Sequence, residues 1–129
     1  MTITIKDETF AGKILNEITL QFQSETVTVK DIITSRVTQE VENYNQKLTG
    51  FFNGLVEPTD AEKTINGYQL KPKKTIDAEK QVYVALEAFL KNGYFVLIDN
   101  LQSETLEQQV LLSNTTTVSF VKLTPLIGG

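Results

Sequence analysis

The chain has 129 residues, which is the size of one typical domain. Its 40% hydrophobic and 22% charged content is typical of a globular protein. Sixteen acidic against twelve basic residues give a formal net charge of -4, which argues against a nucleic-acid binder and against a basic membrane-binding surface. The sequence contains no cysteine and no histidine, so thiolate nucleophiles, thiolate metal sites and histidine general bases are excluded.

Two segments near the start of the chain alternate apolar and polar residues, which is typical of half-buried strands. They are Thr2–Lys6, with Ile3 and Ile5 on one face, and Glu17–Gln23. Residues 7–12 between them are predicted to form a polar loop. Two alternating strands this close in sequence favour an antiparallel hairpin.

The apolar spacing becomes helical after this hairpin. From Val29 to Leu48 the apolar residues recur every three or four positions, which predicts a helix of about five turns. Thr28 is the predicted N-cap, Asp31 places a negative charge in the first turn, and Gly50 is the predicted stop.

The next region, residues 51–92, is predicted to be an insertion of a loop and a second helix. Residues 51–76 contain two of the three prolines and several turn signals, which predict a long loop or an extra hairpin. Phe51 and Phe52 are expected to pack this insertion on the core, and the basic run Lys71–Lys74 is expected to be solvated. Asp77–Asn92 has helical spacing and begins with a capping aspartate.

The last third of the chain predicts three strands. Tyr94–Ile98 is suited to a strand buried on both faces, Gln109–Leu112 is a short strand, and Thr117–Leu123 is the last. The predicted fold is α+β, with a mixed sheet around the first helix. The first and last strands are expected to lie side by side, in parallel, in the middle of that sheet.

This order of elements, together with the C-terminus, resembles the ubiquitin-like β-grasp proteins, and among them the small sulfur carriers such as the small subunit of molybdopterin synthase. The likeness covers residues 2–45 and 94–129 and leaves out the insertion. The residues that match the sulfur-carrier pattern are Val118, Phe120, Val121, Pro125, Leu126, Gly128 and Gly129.

The resemblance implies a single β-grasp domain over residues 1–129, with residues 124–129 as a flexible diglycine tail. It implies that the carboxylate of Gly129, preceded by Gly128, is adenylated by an E1-like enzyme and passed to a thiol, a sulfide or an amine. Pro125, Leu126 and Ile127 would then contact the partner. Glycine suits this role because it has no Cβ and passes through a narrow channel.

The same resemblance implies that the chemistry belongs to the partners. The chain itself would bind no metal or cofactor and supply no catalytic residue, because ATP and Mg²⁺ are held by the E1-like adenylating enzyme. Further partners would be an E2-like enzyme and target proteins in a bacterial conjugation system. No secretory signal is visible at the N-terminus, so a cytoplasmic location is expected.

Two other functions remain open. The chain could be a β-grasp interaction module that is never conjugated and binds a partner through its sheet or its insertion. Ile18, Leu20 and Val121 are candidates for such a sheet-face patch, although core packing suits these side chains as well. An enzyme is disfavoured, since histidine, cysteine and a phosphate-binding glycine loop are all absent.

Overall fold

The computed structural model describes residues 1–48, 51–52, 54–58, 61–64, 67–70 and 75–123. The predicted helix stop at Gly50, the basic run Lys71–Lys74 and the tail 124–129 lie outside these residues.

The described residues form two helices and ten strands. The helices are α1 (Val29–Lys47) and α2 (Ala78–Leu90). The strands are β1 (Thr2–Thr9), β2 (Ile14–Gln21), β3 (Thr26–Thr28), β4 (Phe51–Phe52), β5 (Ala61–Thr64), β6 (Gly67–Leu70), β7 (Tyr94–Ile98), β8 (Leu101–Gln102), β9 (Gln109–Leu111) and β10 (Val118–Lys122).

A mixed five-stranded sheet in the order β2-β1-β10-β7-β8 forms the main layer of the fold. β1 and β10 run parallel, with Ile5 opposite Val118 and Asp7 opposite Phe120, whereas the other neighbours are antiparallel. The predicted central pairing of the first and last strands is therefore confirmed. The α+β class, with a mixed sheet packed on a long helix, is confirmed with it.

Two small sheets accompany the main one. β3 pairs with β9, and β4, β6 and β5 form a three-stranded sheet within the predicted insertion. The antiparallel pair β5–β6 is the extra hairpin that the turn signals between residues 51 and 76 allowed.

The long helix α1 begins where the sequence predicts, because Thr28 and Asp31 form a capping box. The Thr28 hydroxyl accepts from the Asp31 backbone N–H at 3.1 Å, and the Asp31 carboxylate accepts from the Thr28 N–H at 2.9 Å. These bonds satisfy two backbone donors at the helix start. The helix ends at Leu48, which adopts the left-handed conformation with φ 48°.

The hydrophobic core lies between α1 and the main sheet. Ile32, Ile33, Val37 and Val41 of α1 are at most 1% exposed. The insertion contributes to the same core through five further residues: Phe52, Leu55, Val56, Ala85 and Phe89. The prediction that Phe52 packs on the core is thus confirmed.

The structure corrects the sequence-based boundaries in several places, and β2 begins at Ile14 where the prediction was Glu17. Residues 7–12 were expected to be a loop, but β1 continues to Thr9 and Asp7 is buried. The short strands β3 and β8 were not predicted, because two or three residues are too few to show a period.

Neither helix in the described part of the chain is long and apolar enough to cross a membrane.

Candidate functional site

The residues that carry the predicted chemistry lie outside the described part of the chain: Pro125, Leu126, Ile127, Gly128 and Gly129. The structure does describe the strand that leads to them. β10 lies between β1 and β7, with Lys122 opposite Thr9 on one side and Tyr94 on the other. Leu123, the last described residue, is 38% exposed. The last described strand is therefore the central strand of the main sheet.

The face of the sheet turned away from α1 carries an apolar cluster beside the end of β10. Side chains alternate along a strand, and Val118 and Phe120 are in the core, so Val121 points to the opposite face. Its antiparallel neighbour there is Phe95. Leu97 lies on the same face, opposite Ser119. Phe95, Leu97 and Val121, all half-buried, are called the outer-face patch below.

Polar residues border the outer-face patch. On the β1 side the register places Glu8 opposite Val121 and Lys6 opposite Ser119. Gln102 of β8 lies opposite Leu97. The result is a small apolar surface with a polar rim, the composition that protein interfaces commonly have.

The proposed grouping of Ile18, Leu20 and Val121 into one patch is wrong. Leu20 is opposite Ile3 and only 3% exposed, and Ile18 is opposite Ile5 and packs against the core. Both therefore face α1, whereas Val121 lies on the other side of the sheet. Successive side chains of a strand point to opposite faces, so a shift of one residue along a strand moves a side chain to the other face of the sheet.

A buried charge network lies on the opposite side of β10, beneath the outer-face patch. The guanidinium of Arg36 on α1 binds both carboxylate oxygens of Asp7 on β1, with Nη2 donating to Oδ2 at 2.7 Å. Arg36 Nε also donates to Glu40 one helical turn away. The Arg36 side chain is 1% exposed and its carbon Cζ lies 4.6 Å from the centre of the Phe120 ring.

The same network reaches the insertion and the end of β10. The second oxygen of Glu40 accepts from the Leu55 backbone N–H at 2.9 Å. Lys122 Nζ donates to the Gly54 carbonyl at 2.9 Å. A Cβ at Gly54 would collide with the Phe52 ring and with the Glu40 carboxylate, so this close approach requires glycine.

Burial and charge change the proton affinities within the network. Burial alone would lower the pKa of Arg36, but the charges of Glu40 and Asp7 and their hydrogen bonds raise it above its ordinary value. Burial raises the pKa of Glu40 despite its contact with Arg36. Burial lowers the pKa of Lys122.

These groups do not form an active site. Asp7 and Arg36 have almost no exposed surface and each is already paired, so a substrate has no access to them. The contacts join α1, β1, β10 and residues 54–55. The network therefore fixes the position of β10, the strand that precedes residues 124–129 in the sequence.

Part of this network could be found in the sequence. Arg36 lies within the apolar stripe of α1, one residue before Val37, and Glu40 follows four positions later. Asp7 continues the alternation of Ile3 and Ile5. A charged residue at a core position of a helix and another at a core position of a strand together indicate a buried ion pair.

Comparison of the chain with family models, with curated proteins and with solved structures gives no significant match.

Proposed function

We propose that this chain is a ubiquitin-like modifier or sulfur carrier of the β-grasp type, activated at its C-terminal glycine. The observation that carries the proposal is the position of β10. The last strand runs parallel to the first in the centre of the sheet and is followed, six residues after Leu123, by the terminal Gly129. An N-terminal hairpin, a long helix packed on the sheet and this parallel return are the arrangement expected of a β-grasp.

The proposed reaction begins on the Gly129 carboxylate. An oxygen of this carboxylate attacks the α-phosphorus of ATP, and the bond to the leaving pyrophosphate breaks. The product is an acyl-adenylate and free pyrophosphate. A thiol, a sulfide or an amine then attacks the carbonyl carbon, and AMP leaves as a thioester, thiocarboxylate or amide forms. All of these steps occur in the site of the E1-like partner, which holds ATP and Mg²⁺.

The outer-face patch is the proposed contact surface for the activating enzyme. It lies beside the end of β10, so an enzyme that contacts Phe95, Leu97 and Val121 would hold the body of the protein close to the start of the tail. Apolar residues inside a polar rim supply most of the binding energy in many interfaces. The buried contacts of Arg36 and Lys122 would keep β10 rigid during this encounter.

The direct test is incubation of the full chain with E1-like enzymes of the source organism, ATP and Mg²⁺, followed by intact-mass spectrometry. We expect a mass gain of one adenylyl group, or a thioester to the enzyme. Deletion of Gly129 should abolish both products.

Val121→Lys should slow their formation about tenfold or more, because it places a charge in the contact surface. Thr2→Lys, on the same sheet face at the far end of β1, is the matched control.

The alternative function predicts a different result. A β-grasp interaction module that is never conjugated would give no adduct with any of these enzymes, and deletion of Gly129 would change nothing. Adduct formation that persists without Gly129 would also contradict the proposal.

A further inference from the structure

A small pocket lies where the end of α2 meets the start of β7 and the end of β8. Its volume is about 210 Å³, and it is lined by the end of α2 and the turn after it, by the first two residues of β7 and by residues 102–104. α2 belongs to the insertion, so the pocket is formed between the insertion and the main sheet. This feature is called the β7–α2 pocket below.

The size of the β7–α2 pocket limits what it can hold. Pockets for cofactors and drug-sized ligands have volumes of about 300–1,000 Å³. A volume of about 210 Å³ corresponds to about seven water molecules at about 30 Å³ each. One long side chain is an occupant of this size, whereas a cofactor-sized ligand is too large.

The pocket contains a buried hydroxyl group without a partner. Ser103 is 4% exposed, and its Oγ makes no hydrogen bond within the described part of the chain. The Ser103 N–H donates to the Val96 carbonyl at 2.8 Å, so Ser103 continues β8 as the antiparallel neighbour of Val96. Such neighbours place their side chains on the same face of the sheet, so Ser103 points to the inner face, where Val96 is buried and α2 contacts β7.

This hydroxyl selects ligands that carry a polar group. Buried polar groups are nearly always hydrogen-bonded, and one that lacks a partner destabilises the protein. A ligand that brings a donor to Ser103 Oγ gains a hydrogen bond in a site shielded from water. An apolar side chain would fill the same space and leave the hydroxyl without a partner.

Aromatic rings form the apolar part of the wall. The ring centres of Phe89 on α2 and Tyr94 on β7 are 6.2 Å apart, and the half-buried Phe95 lines the pocket with them. The Tyr94 hydroxyl already donates to the Ala85 carbonyl at 2.7 Å, so only the ring of this residue is available to a ligand. Aromatic rings attract cations, and guanidinium groups stack on them.

The polar part of the wall carries a negative charge. Among the described residues that line the pocket, Glu104 is charged and exposed, and there is no lysine or arginine. Lys91, beside the pocket in the sequence, pairs instead with Glu87 at 3.6 Å. An anionic ligand would meet the Glu104 carboxylate without a compensating cation, whereas a cationic ligand would be attracted to it.

We propose that the β7–α2 pocket binds an arginine side chain of a partner protein. The guanidinium would donate to Ser103 Oγ and to the Glu104 carboxylate while it stacks on the aromatic wall. Arginine suits this wall better than lysine, because its planar group has five donors and stacks on rings. Phe95 also belongs to the outer-face patch, so a protein bound on this side of the molecule would contact both features. The proposal is independent of the C-terminal chemistry, because no residue of β10 lines the pocket.

The test is an NMR titration of the ¹⁵N-labelled full chain with N-acetyl-arginine amide as the probe. N-acetyl-citrulline amide is the matched control, because its side chain has nearly the same shape and no charge. A single side chain buries little surface, so we expect a dissociation constant of about 1 mM for the arginine probe. The citrulline probe should bind about fivefold more weakly or less tightly still, because it lacks the charge-assisted bond. Shift changes should be confined to the end of α2, the start of β7 and residues 102–104.

Two variants separate the hydroxyl from the charge. Ser103→Ala should weaken binding of the arginine probe about threefold or more without lowering the free energy of unfolding, because the free protein loses no hydrogen bond. Glu104→Gln should weaken binding about two- to fivefold. Glu107→Gln, at an exposed position outside the pocket, is the matched control and should leave binding unchanged. Because Glu104 is exposed, its variant remains informative if Ser103→Ala does not fold.

Several outcomes would overturn the proposal. They are equal affinities for the arginine and citrulline probes, shift changes located away from the pocket, and unchanged binding in both Ser103→Ala and Glu104→Gln. The absence of any shift change at about tenfold the expected dissociation constant would overturn it as well. Tighter binding of N-acetyl-leucine amide than of the arginine probe would assign the pocket to an apolar side chain instead.

Discussion

Arg36 is the residue on which most of the polar interior depends. It is fully buried, and it forms hydrogen bonds with two carboxyl groups, one on β1 and one on its own helix. Removing one partner from a buried ion pair costs about 3–5 kcal/mol, because the remaining charges stay in a low-dielectric interior. Because of this cost, the network holds β1, α1 and β10 in one arrangement.

Replacement of Arg36 tests this role. Arg36→Met keeps much of the side-chain volume but leaves Asp7 and Glu40 without their cation. We expect the free energy of unfolding to fall by about 3–5 kcal/mol in urea denaturation. Lys30→Met, at an exposed position of the same helix, is the control and should change stability by less than about 0.5 kcal/mol. A small effect of Arg36→Met would mean that the network does not hold the interior together.

The pH dependence of stability tests the charge state of Glu40. Burial raises its folded-state pKa above the ordinary value of 4.5, so the folded protein binds this proton more tightly than the unfolded chain does. The resulting stabilisation is complete below pH 4.5 and is lost as pH rises through the raised folded-state pKa.

Glu40→Gln removes this titration and provides the reference. The free energy of unfolding of the unmodified chain, minus that of Glu40→Gln, should decrease as pH rises from 4.5 and then level off. Denaturant titrations at successive pH values measure this difference. A difference that is constant, or that increases with pH, would contradict a raised pKa for Glu40.

At the scale of elements, α1 depends on a local signal at its start. The capping box of Thr28 and Asp31 satisfies backbone donors that would otherwise lack partners. β3 ends at Thr28, so the same residue closes the strand and opens the helix.

The cap is tested by Thr28→Ala, which removes the hydroxyl acceptor. We expect the free energy of unfolding to fall by about 1 kcal/mol in thermal or urea denaturation. Thr28→Ser retains the hydroxyl and should recover most of this loss. If serine and alanine destabilise equally, the hydroxyl is not the stabilising group.

The two helices and the long strands could be predicted because their signals are local. Thr28 and Asp77 cap the helices as expected, and Tyr94–Ile98 is a strand with the predicted bounds. The end of β1 could not be predicted, because Asp7 occupies the next core-facing position after Ile3 and Ile5 but is charged. The two core positions each suggest a buried charge, but Arg36 is 29 positions away, so no local pattern identifies it as the partner of Asp7.

At the scale of the whole molecule, the sequence predicted the central parallel pair and the α+β class. It could not place Phe95, Leu97 and Val121 together, because strand register depends on pairing between distant segments. For the same reason the β7–α2 pocket was not foreseen: its walls come from α2, β7 and the residues after β8, which only the assembled fold brings together. The role of the C-terminal glycines, in contrast, is predicted from the sequence alone.

The proposed function requires that the Gly129 carboxylate is adenylated. Pyrophosphate exchange measures that step directly, since label enters ATP only when the acyl-adenylate forms and reverses. With an E1-like enzyme of the source organism and Mg²⁺, we predict exchange that requires the full chain and disappears when Gly129 is removed, but survives Thr2→Lys. Exchange at the same rate with and without Gly129, or none with any such enzyme, would contradict the proposed function.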